Sequence, residues 1–300
     1  MSGSLAEQLA RDELACDELA CDEIACDESG AEGENLTDGC TDVFAHASVR
    51  MTVAAAADCV AEVRARIGSP ATQYKANHLL RDRSRPVLTW LLGPSGPLSH
   101  RGHVVLVEKS FLLVTRLAQT LTGGNVADGA SARLALAIYT GSQARLGPQR
   151  WQAALTRLNA ALRGESGLLP RLDPLFPAVV LTAGYWSAGA APVTLVHDRH
   201  TTLWPARVAR LAELSAGGLA GLRQVDSRCD PRVQVADFLA GTARSIASAE
   251  LAGRGDAELT ALLRPYVDGR SVWGEQRSRD RLTGPCPCPR PSPCATSPCR

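Results

Sequence analysis

Three aspartates stand where an acid is out of keeping with its neighbours. Asp27 follows the apolar "IAC", Asp198 closes "PVTLVHD", and Asp237 falls inside "VQVADFLAG". An ionised carboxylate among apolar side chains is costly unless a cation meets it. That cation can belong to the chain, Arg244 being the candidate for Asp237, or it can be a bound metal. Carboxylates far apart in sequence that converge in space suit a hard ion. Mg²⁺ prefers oxygen ligands, keeps several waters, and takes one or two carboxylates together with substrate phosphate. Two such ions can clamp the attacking and leaving oxygens of an in-line phosphoryl displacement.

The elements around these acids must do the positioning. "LACDEIACDES" has the short apolar character of a buried strand ending near Asp27, with a turn at Ser29-Gly30. "VFAHASVRM", Val43 to Met51, alternates as a second strand, so the polar loop between them predicts a hairpin. "AAAADCVAEVRARIG" predicts a helix closing at Gly68 ahead of Pro70. "TQYKANHLLRDRSRPVLTWLL" predicts a broken helix, "HVVLVEKS" a strand over His103 to Ser110, and "FLLVTRLAQTL" a helix after it. Three helices follow between Ala130 and about Trp186, as a cap or insertion. "PVTLVHD" is a strand, "PARVARLAELS" a helix and "GLRQVDS" a further strand.

Asp230-Pro231 supplies an N-cap and a first helical position for a longer helix reaching about Ala252. Val233, Ala236, Leu239, Ala240 and Ala243 form its apolar face, with Gln234 and Asp237 three apart at the edge. Asp237 lies about two turns in, too deep for the helix dipole to help it. Strands separated by helices and opened by a hairpin predict an α/β fold with a mixed sheet. Open α/β sheets place ligand sites at the carboxyl ends of strands, where Asp198 falls. His197 and His200 flank it and read as ordinary polar residues rather than ligands.

Composition bounds the alternatives. The 300 residues are 45% hydrophobic but only 4% aromatic, so the core is mainly aliphatic. A net charge of +1 leaves any contact with nucleic acid to local patches. Arg11 is the only Lys or Arg among the first forty residues, which are strongly acidic. No apolar run approaches the ~20 residues of a membrane span. The N-terminus lacks the basic start and long apolar segment of a secretory signal, and the cysteine placement suits a reducing cytoplasm. Cys16, Cys21 and Cys26 each open a Cys-Asp-Glu copy at a spacing of five. That step turns successive cysteines to different sides of a helix or a strand, and it lacks the paired ligands of a zinc site. The copies read as local duplication, with only the third, followed by Ser29-Gly30, placed to contribute a ligand. Residues 1–21 form an acidic extension, and the Pro/Cys-rich tail 283–300 cannot join a helix or an interior strand. A Cys–His nucleophile can be assembled from Cys26, Cys59 or Cys229 with His46, His78 or His197, but no spacing singles out a pair.

"DESG" after a strand, followed by a hairpin and the distal "VDSRCDPRVQVADFLAG", resembles the bacterial domain of unknown function 3800 family over Ile24 to Ser248. The distal motif is the specific part. The resemblance implies a single ribonuclease H-like domain over 22–282: a mixed β-sheet flanked by helices, with a helical insertion at about 128–188. It implies Asp27, Asp198 and Asp237 as catalytic acids and metal ligands, with Mg or Mn as cofactor and Lys75 toward phosphate. Glu28, Ser29, Gly30, Asp226 and Gln234 become supporting residues. One departure matters. The family usually carries a glutamate two positions before that lysine, and here Gln73 takes its place. An amide oxygen coordinates weakly but brings no negative charge.

The expectation is therefore a metal-dependent nuclease acting on DNA or RNA, weakened by Gln73. The alternative is a non-catalytic module of the same fold that binds nucleic acid or a protein partner. An NAD-dependent deacylase has a thinner basis. "TGGNVADG" follows a helix pattern and lacks the strand–turn–helix setting that brings glycines to a pyrophosphate.

Overall fold

The computed structural model describes residues 23–68, 75–123, 129–164, 167–188 and 191–284. Gln73, the first two Cys-Asp-Glu copies and the Pro/Cys-rich segment from 285 onward lie outside them.

Alternation of side chains organises the sheet. In β1 (Glu23–Ser29), Ile24 and Cys26 enter the core on one face while Ala25 enters the core on the other. β2 (Val43–Val49) returns antiparallel to it, with Glu28 opposite His46 and Ser29 opposite Ala45. β1 thus runs two residues beyond the expected end at Asp27, because β2 supplies ladder partners as far as Ser29. β3 (Gly102–Glu108) pairs antiparallel with β2. It stops at Glu108 rather than Ser110, since Lys109 already opens a helix. β4 (Val193–Asp198) lies parallel to β1, and β5 (Leu219–Val225) lies parallel to β4. The order β3-β2-β1-β4-β5 makes a five-stranded mixed sheet, so the α/β class expected from the sequence is present.

Helices cover both faces. α1 (Val53–Ile67) starts on the Thr52 hydroxyl, which accepts the Ala55 N–H, and ends at Gly68 in the left-handed region. The broken helix resolves into α2 (Ala76–Leu79) and α3 (Arg85–Leu92), joined by a 3₁₀ turn over Asp82–Ser84. α4 (Lys109–Thr122) follows β3. α5 (Gly129–Leu162) is one run bent at Gly147, where φ is 72° ahead of Pro148, and not two separate helices. Next come α6 (Leu175–Trp186), α7 (Pro205–Leu214), α8 (Pro231–Leu251), α9 (Ala257–Leu263) and α10 (Gln276–Thr283).

The core on one face joins α1, α3 and α8 to the sheet through residues such as Val63, Leu91, Phe238 and Leu239. The core on the other face holds Leu113, Tyr139, Phe176 and Leu211, drawn from α4, α5, α6 and α7. The stretch read as an insertion therefore contributes directly to a core of the sheet. No described helix is long and apolar enough to cross a membrane.

Candidate acidic site at the strand ends

Asp27 near the end of β1 and Asp198 at the end of β4 sit on neighbouring parallel strands, and α8 packs across β1 with Asp237 on it. Asp27 Oδ1 accepts the Glu28 N–H at 2.8 Å. Asp198 Oδ1 accepts the N–H groups of Arg199 and Ser227 at 2.9 and 3.0 Å, which fixes its carboxylate against the loop after β5. Asp237 Oδ2 accepts the Ala76 N–H at 3.2 Å. This last bond depends on Gly241, one turn further along α8. A Cβ there would overlap the Cβ of Ala76 and push the start of α2 away.

The three acids share one electrostatic field. Burial pushes the Asp27 carboxyl well above the usual carboxylate range, and the negative charges of Glu28, Asp237 and Asp198 push it further. Burial also raises the Asp237 carboxyl. The Lys75 ammonium and the Ala76 N–H pull it down, while Asp198 pushes it up. Lys75 is thereby placed beside Asp237, exposed at the rim. Arg244 is not the partner of Asp237; its Nε donates to Ser29 Oγ at 2.9 Å.

The donor set is all carboxylate oxygen, the type that Mg²⁺ or Mn²⁺ takes. The charges acting most strongly on Asp27 are all negative. By donor chemistry and by charge the acids fit a hard divalent ion. Their ligand shell is not preformed: among the described residues, no three His, Cys, Asp or Glu side chains stand ready to hold a metal ion.

The supporting residues divide. Gly30 has φ +82°, and a Cβ there would collide with the Val43 carbonyl, so glycine is needed where the chain leaves β1. Gln234 lies one turn before Asp237, with its Oε1 buried and without a hydrogen-bond partner. Asp226 does not join the acids. Arg228 grips it at 2.6 Å, with Arg199 at 3.9 Å, and together they hold its carboxyl well below the usual range. Glu28 does not share the side of Asp27, because successive strand residues face opposite ways. Its carboxylate lies 3.4 Å from His197 Nε2 and 3.6 Å from His200 Nε2. The adjacency of Asp27 and Glu28 in a strand already carried that signal, and the two histidines beside Asp198 are what the sequence reading passed over.

Nucleophilic thiols are not part of this site. Burial pushes the Cys26 thiol well up and the Cys59 thiol to about 12, far from the thiolate that attacks, while Cys229 is exposed. A cleft of about 420 Å³ lined by Thr41, Lys109 and Gln152 lies apart from the acids. The Lys109 charge within it is already met by Glu32. Comparison with protein-family models, curated proteins and solved structures found no match to the chain.

Proposed function

We propose that the chain is a divalent-metal-dependent phosphodiesterase of ribonuclease H-like type, acting on DNA or RNA. The observation that carries this reading is the common field of Asp27, Asp198 and Asp237 at the strand ends, which leaves Asp27 buried among negative charges. The mixed sheet flanked by helices is of the kind such a fold requires. The site also lies where open α/β sheets bind ligands.

Asp27, Asp198 and Asp237 would hold the ion. When bound, such an ion lowers the pKa of a water and stabilises charge on phosphoryl oxygens. The chain's own contribution is positional. The amides of Arg199 and Ser227 hold Asp198, and the Ala76 amide holds Asp237. Lys75 supplies a compact positive charge for a phosphate oxygen at the rim. The neutral overall charge leaves substrate affinity to such local contacts.

Cleavage of DNA and RNA with Mg²⁺ or Mn²⁺ tests the reading. Asp27→Asn and Asp237→Asn are each expected to lower the rate by about a hundredfold or more, some 2.7 kcal/mol of transition-state stabilisation. Equal rates in the wild type and both variants would remove these residues from the chemistry. The lack of a preformed ligand shell favours a second reading, a binding module of the same fold. Calorimetric titration showing no Mn²⁺ uptake even at millimolar metal would select it.

A further inference from the structure

The face of the sheet turned away from Asp27 holds a second constellation. His197 is fully buried on β4, and its Nδ1 lies 2.9 Å from the Asp198 carbonyl oxygen. A carbonyl can only accept, so Nδ1 carries the proton and Nε2 presents its lone pair. That nitrogen has no hydrogen-bond partner, and neither has the buried Glu28 Oε2 that faces it at 3.4 Å. Two acceptors thus confront each other in a dry place, an arrangement that calls for a positive charge between or beside them. His200 reaches the other carboxylate oxygen, with Nε2 3.6 Å from Glu28 Oε1. Its Nδ1 is held by the Thr202 hydroxyl at 2.6 Å.

We propose that Glu28, His197 and His200 bind a divalent cation of the zinc class, on the face of the sheet opposite the acidic site. Ligands bound to one tetrahedral Zn²⁺ at about 2.0–2.1 Å lie roughly 3.3–3.4 Å from one another. The 3.4 and 3.6 Å separations between Glu28 and the two histidines are close to that spacing. An Nδ1–H bonded to a backbone carbonyl is the outer-shell arrangement that orients a metal-bound imidazole. Asp198 and Asp173 add negative charge around Glu28, which strengthens the attraction for a cation. Mixed nitrogen and oxygen donors select zinc over magnesium, so this ion differs from the one proposed for the acids. No three-ligand set stands ready-made, so His200, partly exposed in the loop after β4, closes on the ion as it binds. Through the carbonyl of Asp198, the ion braces the end of β4 from behind the acidic site.

The test is zinc stoichiometry by equilibrium dialysis on the full chain with its accessible thiols blocked by iodoacetamide. Wild type and Asp27→Asn should each retain one zinc equivalent that His200→Ala and Glu28→Gln lose. Circular dichroism in the absence of zinc confirms that each variant is folded; His200 is partly exposed and Glu28→Gln is nearly isosteric, so both should pass. Equal zinc content in wild type, His200→Ala and Glu28→Gln overturns the proposal. Loss of zinc from Asp27→Asn alone would also overturn it, by assigning the ion to the acidic site. Nuclease activity plays no part in this readout.

Discussion

Asp27 carries a charge that its surroundings disfavour. It is buried, and Glu28, Asp237 and Asp198 all add negative potential to it. Sites that hold such groups give up stability for function, and neutralising them commonly returns about 0.5–2 kcal/mol. Asp27→Asn should therefore raise the urea midpoint at neutral pH with chelator present, while lowering any metal-dependent cleavage. A fall in the midpoint would mean that the carboxylate has a stabilising partner, and the electrostatic account of the site would fail. Asp226 is the contrasting residue. Arg228 and Arg199 neutralise it at the surface, so Asp226→Asn should leave cleavage unchanged.

At the scale of elements, the site depends on how closely α2 approaches α8. Gly241 leaves no room for a side chain against Ala76, and that contact puts the Ala76 N–H on Asp237 and Lys75 beside it. Gly241→Ala overfills the contact and is expected to cost about 1–3 kcal/mol. The smaller residue of the double variant Gly241→Ala/Ala76→Gly relieves the overlap, so a thermodynamic cycle should show positive coupling between the two positions. Additive losses in denaturant titrations would show that the close approach does not govern stability here. α8 can take this role because Asp230 caps it and its small residues let it lie flat across β1, β2 and β3.

At the scale of the molecule, the segment after α9 returns to cover the edge of β3, bridging Val267 to Val104 and Val272 to Val107. This shields an otherwise open strand edge. A fastener holds it: His103 Nε2 lies 2.9 Å and Arg270 2.7 Å from Asp268 Oδ2. Burial keeps His103 below its usual range although Asp268 pulls the other way. A histidine held neutral in the fold stabilises above its unfolded pKa, near 6.5. That stability is lost as pH falls toward the folded value, at up to about 1.4 kcal/mol per pH unit. Burial raises the Asp268 carboxyl, but its bonds to His103 and Arg270 outweigh this and hold it well below the usual range. Its contribution therefore persists to strongly acidic pH. The stability advantage of wild type over His103→Gln should be greatest near pH 7.5 and shrink toward pH 5 in urea titrations; a constant gap would contradict this.

Local chemistry made much of this legible in the chain itself. Alternation in "EIACDES" and "VTLVHD" marked the strands, Asp230-Pro231 the start of α8, and Gly68 the end of α1, because each depends on neighbours a few residues away. Partnership was not legible in that way. Arg244 went to Ser29 and not to Asp237, and Lys75 came to Asp237 from 162 residues away in sequence. Glu28 met two histidines that each read as unremarkable alone. The order of strands and the packing of α8 set these meetings, and both follow from how whole faces are buried. No local period encodes which buried face will meet which, so only the tertiary structure could decide it.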